Sequence, residues 1–182
     1  GRSPFVWIGN QVAHNNFFFY TTSAPDLQFP QVCRSNLGLD YQFDNGIPAT
    51  TDIIYTRDVN SKMVRNYGLA TPTGTLNGAD NRVVYLNSDR AVNEFGGVTN
   101  AYVFSNTDVG YSFNWSFKLQ KTFNNGLFAT IAYNYLEAED ASSLDAEISS
   151  DAYDRNPAIG NVNRAVSSTS RYGDKHRIVG QL

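Results

Sequence analysis

Hydrophobic and polar residues alternate most regularly between Gly110 and Phe123. Every second side chain from Tyr111 to Leu119 is large and apolar, and the positions between them are polar. Because successive side chains of a strand point to opposite faces, this pattern predicts a strand with an aromatic face and a polar face. Asn124-Asn125-Gly126 predicts a three-residue loop with glycine at a positive φ. A second strand is expected from Leu127 to Glu137.

Antiparallel pairing of these two strands brings their apolar positions together. A loop that pairs Phe123 with Leu127 fixes the register of the whole hairpin. The predicted pairs are Leu119 with Ile131, Phe117 with Tyr133 and Trp115 with Tyr135.

An earlier segment repeats this design. Leu37 to Phe43 alternates, Asp44-Asn45-Gly46 supplies the turn, and Ile47 to Tyr55 continues the apolar side. The same reasoning pairs Leu37 with Ile53 and Asp40 with Thr50. Pro48 has no backbone donor and is expected at the start of a strand or at a bulge.

Two long polar segments separate the alternating regions. Residues 60 to 100 are rich in Asn, Gly, Thr, Pro and Asp, and residues 139 to 173 in Ser, Asp and Asn. Both exceed ordinary loop lengths, which predicts functional or mobile loops. Lys175 to Leu182 begins another alternating segment. Tight turns are therefore expected at one end of the strands and long loops at the other.

Composition narrows the class of protein. The aromatic content is 14%, which favours strands, and no apolar run is long enough for a transmembrane helix. The net charge is -3 with scattered basic residues, so nucleic acid is not an expected partner. The single cysteine, Cys33, excludes an internal disulfide and multi-cysteine metal motifs. The first residues do not read as a signal peptide.

The two faces of the predicted strands suit a membrane barrel. Aromatic residues near both strand ends resemble interfacial girdles, and the polar face suits a wet lumen. The residues expected to face lipid are Leu37, Leu39, Tyr41, Phe43, Ile53, Tyr55, Tyr111, Phe113, Trp115, Phe117, Leu119, Ile131, Tyr133 and Tyr135. The residues expected to face the lumen are Asn36, Asp40, Gln42, Asp52, Asn114, Lys118, Gln120 and Asn134.

A soluble fold would also alternate. In a β-sandwich the aromatic face would pack against a second sheet, so a secreted carbohydrate-binding or adhesive surface module is the alternative.

Several short stretches carry a family likeness. They are Phe5 to Gln11, Phe29 to Val32 with Ser35 to Gly38, Pro72 to Leu76, Ser105 to Thr107 with Gly110 to Ser112, Leu119 to Lys121, Arg155 to Pro157 with Gly160 and Asn161, and Lys175 to Val179. In this order they resemble successive parts of the TonB-dependent outer-membrane receptors. The closest branch is the Oar-like one, which has a carboxypeptidase-regulatory-like N-terminal domain.

The resemblance implies an all-β fold, an antiparallel transmembrane β-barrel of about 22 strands with short periplasmic turns, long extracellular loops and a plugged lumen. Residues 1–182 would form an internal part of that barrel domain, since they supply about five or six strands. The plug, the TonB box and the signal peptide are expected outside this chain. The implied function is TonB-dependent uptake of a nutrient across the bacterial outer membrane, without a cofactor. The implied partners are outer-membrane lipid, TonB, the plug domain and a polar ligand.

Candidate chemistry is sparse. His14 and His176 lack companions at metal-ligand spacing, and no nucleophile or phosphate-binding motif occurs, so an enzyme is not expected. The acidic residues from Glu137 to Asp154 could bind calcium but lack EF-hand spacing, and a solvated charged loop is the simpler interpretation. Arg57 and Lys62 are either ordinary loop charges or contacts for anionic headgroups.

Overall fold

The computed structural model describes residues 5–8, 11–14, 18–92, 99–143 and 146–182. Strands account for 55% of them, so the protein is all-β, as predicted. The strands are β1 (Phe5–Ile8), β2 (Gln11–His14), β3 (Phe18–Ser23), β4 (Gln31–Gln42), β5 (Pro48–Asn66), β6 (Gly74–Thr75), β7 (Val83–Val84), β8 (Thr99–Thr107), β9 (Gly110–Thr122), β10 (Phe128–Asp140), β11 (Ser168–Thr169) and β12 (His176–Gln181). One short helix, α1 (Ser149–Asp154), and a 3-10 turn (Asn87–Asp89) complete the described elements.

The chain divides into two compact units. The loop-rich unit comprises residues 1–28, 62–106 and 144–165, and the sheet unit comprises residues 29–61, 107–143 and 166–182. Strand β5 contributes residues to both units.

The sheet unit is an antiparallel sheet in the order β4, β5, β9, β10, β12, with the short β11 also paired to β10. Its register confirms the predicted hairpins. Phe117 lies opposite Tyr133 and Leu37 lies opposite Ile53. Pro48 is the first residue of β5, where its missing donor costs no interior ladder bond.

Both tight turns have the predicted geometry. Gly46 and Gly126 have φ of 75° and 85°, a region that glycine enters without a steric penalty. Asn45 Oδ1 accepts a hydrogen bond from the Ile47 N–H at 3.2 Å, and Asn125 Oδ1 accepts one from the Leu127 N–H at 3.1 Å. The two hairpins therefore use the same local device, as their sequences predict.

The loop-rich unit contains the larger core. Val64 and Tyr102 are buried against Ala152 of α1, and the Tyr102 and Tyr153 ring centroids lie 5.5 Å apart. Strand β8 lies beside β3 in parallel register and beside the end of β5. Strands β6 and β7 form a separate small ribbon.

The prediction that residues 60 to 100 are loop is wrong at both ends. Strand β5 continues to Asn66, and β8 begins at Thr99. Met63 and Val64 are buried there, so tertiary packing extends a strand that its polar composition had concealed. The 139 to 173 segment likewise contains α1 and β11. Residues 93–98 of the first segment and 144–145 of the second lie outside the described residues.

Candidate functional site

Cross-strand pairing gathers the predicted lipid-facing residues on one face of the sheet unit. Directly paired residues of an antiparallel sheet share a face, and the pairs run across four strands. One such row is Leu37, Ile53, Trp115 and Tyr135, and another is Tyr41, Ala49, Leu119 and Ile131. We call this surface the apolar face. Phe43 lies just beyond the end of β4.

The apolar face is largely uncovered. The exposed fraction is 69% for Leu37, 64% for Leu39, 54% for Ile131 and 73% for Ile178. In the sheet unit only Ala49, Thr56 and Ala141 are buried. A contiguous exposed apolar surface of this kind marks a site of contact with lipid or another apolar surface.

The same register gathers the predicted lumen-facing residues on the opposite face. Asp52 lies opposite Ser116, which lies opposite Asn134, and Thr50 lies opposite Lys118. We call this surface the polar face. Prediction from sequence did not single out Arg177, which lies opposite Asn134 on β12. Its alternation with Ile178 was the available signal. Ile54 and Leu136, both apolar, also lie on this face, opposite Asn114.

An aromatic cluster occupies the apolar face toward the end remote from the tight turns. The Tyr133 ring stacks on His176 with centroids 6.2 Å apart, and its hydroxyl lies 2.8 Å from His176 Nδ1. The Tyr135 hydroxyl donates to Glu137 at 2.6 Å, and the Tyr111 hydroxyl donates to the same carboxylate at 3.4 Å. The Lys175 ammonium lies 5.8 Å from the centre of the Tyr135 ring. Each of these three tyrosines therefore packs its ring on the sheet while its hydroxyl has a hydrogen-bond partner.

Nearer the turns, the apolar face carries a hollow of about 410 Å³. Small side chains at Ala129 and Gly180 leave this space beside Leu119 and Ile131. Tyr41 and Phe43, which are two residues apart near the other tight turn, pack edge to face with ring centroids 4.9 Å apart. Aromatic residues therefore lie toward both ends of the strands, as the sequence predicts.

A network of amides holds the loop-rich unit together. Asn163 donates from Nδ2 to the Asn66 carbonyl and accepts at Oδ1 from the Asn66 N–H, both at 2.8 Å. Asn66 is only 3% exposed, and its Oδ1 also accepts from the Gly68 and Ala101 N–H groups. A Cβ on Gly68 would lie 2.3 Å from the Thr99 carbonyl oxygen, so glycine permits this close approach. The two long polar segments are thus joined by partly buried hydrogen bonds.

Two aspartates fix the loops of the same unit. Asp89 accepts hydrogen bonds from the Thr73 hydroxyl and from the Leu86 N–H, and these bonds lower the pKa of its carboxyl. Asp80 accepts from the Gly160 N–H and forms an ion pair with Arg82 at 3.1 Å, which lowers its pKa as well. Burial, the largest of several causes, raises the pKa of the Tyr153 phenol.

The described part of the chain holds no group of three or more His, Cys, Asp or Glu side chains placed to bind a metal. Asp145, within the acidic run considered for calcium, lies outside the described residues. Cys33 is an exposed free thiol on β4. Among the helices of the described residues, none combines the length and apolarity needed to span a membrane.

These observations define an all-β protein with an amphipathic antiparallel sheet and an amide-linked loop unit. No family model, curated protein or solved structure matches the chain.

Proposed function

We propose that this protein is part of an outer-membrane transporter that takes up a nutrient in a TonB-dependent manner. The observation that carries the proposal is the apolar face, whose large side chains are exposed or only half-buried although the opposite face is polar. Water would impose a cost of about 25 cal/mol for each Å² of apolar surface left exposed. Lipid removes that cost, since the hydrocarbon interior solvates these side chains.

The strand lengths support a membrane-spanning wall. A tilted transmembrane strand needs about 9–11 residues. Strand β4 has 12 residues, and β9 and β10 have 13 each. All three are long enough to cross the hydrocarbon region and reach both interfaces.

The asymmetry of the connections between strands also supports a membrane-spanning wall. The register between β5 and β9 pairs Ala49 with Leu119, which puts the turns after β4 and β9 at one end of the sheet. Long polar connections leave the other end. Short periplasmic turns and long extracellular loops are the pattern of outer-membrane barrels. In the proposed transporter the turns face the periplasm, and the aromatic cluster around Tyr135 lies at the outer interface.

Transport, as opposed to a purely structural role, is proposed from the resemblance of the sequence to TonB-dependent receptors. In that arrangement the sheet supplies wall strands of a larger barrel, and TonB transmits energy to the plug domain. The Asn and Tyr side chains of the extracellular segments suit stacking on and hydrogen bonding to a large polar ligand.

Detergent dependence tests the proposal. The protein is expressed with its natural flanking sequence, and circular dichroism is recorded with and without detergent. We expect β structure and solubility to require detergent, because the apolar face and the outer strand edges need lipid and neighbouring strands. A folded, cooperative monomer in plain buffer would refute the transporter and favour a soluble sandwich. A screen for glycan binding would then follow.

A further inference from the structure

The polar face contains a cavity of about 270 Å³ within the sheet unit. We call the small side chains that line it, Thr50, Ser116 and Ala132, its floor, and the apolar Val179 lies opposite Ala132. Longer polar side chains surround that floor. They are Lys118, Arg177, Asp52 and Asn134. The volume lies below the roughly 300–1,000 Å³ of sites for drug-sized ligands, so it suits a molecule about as large as one amino acid.

The charged groups around this cavity form no ion pair with other described residues. Across the described residues, ion pairs join Arg82 to Asp80 and Arg155 to Asp151. The ammonium of Lys118 and the guanidinium of Arg177 have no such partner within the described parts of the chain. Unpaired cations beside a cavity attract an anion, because a charge-assisted hydrogen bond is about twice as strong as a neutral one.

The sheet register fixes the distance between the Cα atoms of Lys118 and Arg177. Lys118 lies opposite Ala132 and Arg177 lies opposite Asn134, so the two cations are two strands and two residues apart. With about 4.8 Å between strands and about 3.4 Å per residue, their Cα atoms are roughly 12 Å apart. Both side chains are long and flexible enough to incline toward a ligand over Ala132.

Asp52 limits which anion fits. It lies opposite Ser116 on β5, and its carboxylate lies over Gly38, where an added Cβ would come within 2.8 Å of Oδ1. Two positive groups against one negative group leave one net positive charge around the cavity. The net positive charge attracts a carboxylate, and the Asp52 carboxylate disfavours a ligand that would place further negative charge beside it. The Asn134 amide, beside Arg177, offers both a donor and an acceptor to the rest of the ligand.

We propose that this cavity binds a small organic carboxylate between Lys118 and Arg177. The inference deepens the proposed function by naming a ligand class for the polar face, and it rests on that function only in requiring this face to be wet. A dicarboxylate with a short aliphatic chain matches the small floor and the two separated cations.

The test is calorimetric titration of the full chain with glutarate, in the medium that keeps it folded. Glutaramide, in which both carboxylates are replaced by amides, is the uncharged control, and inorganic phosphate is the alternative anion. We expect glutarate alone to bind. Lys118→Gln and Arg177→Gln should each weaken binding at least tenfold, whereas Arg34→Gln should leave it unchanged. Arg34 is the matched control because it is a cation on the same face whose guanidinium already donates to Thr56.

A gain of affinity separates loss of the site from loss of the fold. Asp52→Asn removes the one negative group, so it should strengthen glutarate binding several-fold, a result that misfolding cannot produce. The proposal is overturned if the unaltered protein does not bind glutarate, if glutaramide or phosphate binds equally well, or if both cation variants retain full affinity. Glutarate binding by a protein that folds without detergent would refute the transporter and leave the carboxylate site standing. Detergent-dependent folding without glutarate binding would leave the transporter standing and overturn the site.

Discussion

An arginine at Trp115 tests directly whether the apolar face meets hydrocarbon. Trp115 lies next to the middle residue of β9, on the row that contains Ile53 and Tyr135. Its indole N–H donates to the Thr51 hydroxyl at 2.9 Å, and its ring packs edge to face on Tyr133 with centroids 5.8 Å apart. Replacing it therefore removes two interactions and adds a charge.

The magnitude is obtained by comparing two variants at the same position. Both Trp115→Ala and Trp115→Arg lose the hydrogen bond, worth about 1 kcal/mol, and the ring contact, worth about 0.5–1.5 kcal/mol. Their difference leaves the cost of the charge. At the middle of a bilayer that cost is about 2–4 kcal/mol. At an exposed site in water, the difference between arginine and alanine is within about 0.5 kcal/mol.

The assay is guanidinium unfolding in phospholipid vesicles, followed by far-ultraviolet circular dichroism. Tryptophan fluorescence is unsuitable because the change removes one of only two tryptophans. Asn114, the preceding residue on the polar face, is the matched control. Asn114→Arg and Asn114→Ala should differ by less than about 0.5 kcal/mol. If the arginine and alanine variants of Trp115 differ as little as those of Asn114, the apolar face does not meet lipid and the reasoning fails.

Three further predictions concern the turns and loops. Gly126→Ala should lower the free energy of unfolding by about 1–2 kcal/mol, because Gly126 has a positive φ. In the same denaturation series Gly180→Ala should cost almost nothing, because its added Cβ meets no atom within 4 Å. Asn163→Ala should destabilise the loop-rich unit by about 1–3 kcal/mol, because it leaves the N–H and the carbonyl of the buried Asn66 without their partners. Amide hydrogen exchange measures this loss, and unchanged protection would contradict the prediction. Folding lowers the pKa of Asp89 from 3.8, so its carboxylate stabilises the loop above that pH, and the contribution is lost as the pH falls through the folded-state pKa. Thermal melting across acid pH should show that loss in the unaltered protein and a smaller one in Asp89→Asn, in which the bond from Thr73 no longer meets a charge.

The sheet unit was predictable from local sequence. Alternation at Leu37 to Tyr55 and at Gly110 to Glu137 fixes which side chains share a face, because the side-chain period of a strand is two. The loop length then fixes the register, and the observed pairs of Phe117 with Tyr133 and Asp40 with Thr50 agree with it. How exposed the side chains of each face are could not be predicted from local sequence.

The candidate binding cavity was only partly predictable. Asp52, Lys118 and Asn134 were assigned to the polar face from alternation alone, and the register brings them together. Arg177 enters from β12, whose sequence gives no sign of which strand it will join. Ala132 forms the floor only because it lies opposite Lys118.

The sequence by itself determined the hairpins of this protein, since alternation and Asx-Asn-Gly turns act over a few residues. Tertiary structure alone decided the length of β5, the parallel pairing of β3 with β8 and the burial of Asn66. Asn66 bonds to Asn163, which is 97 residues away in the chain, and to Asn100, which is 34 away. A polar segment becomes a buried strand there because distant residues satisfy its hydrogen bonds, and no local pattern records those distant partners.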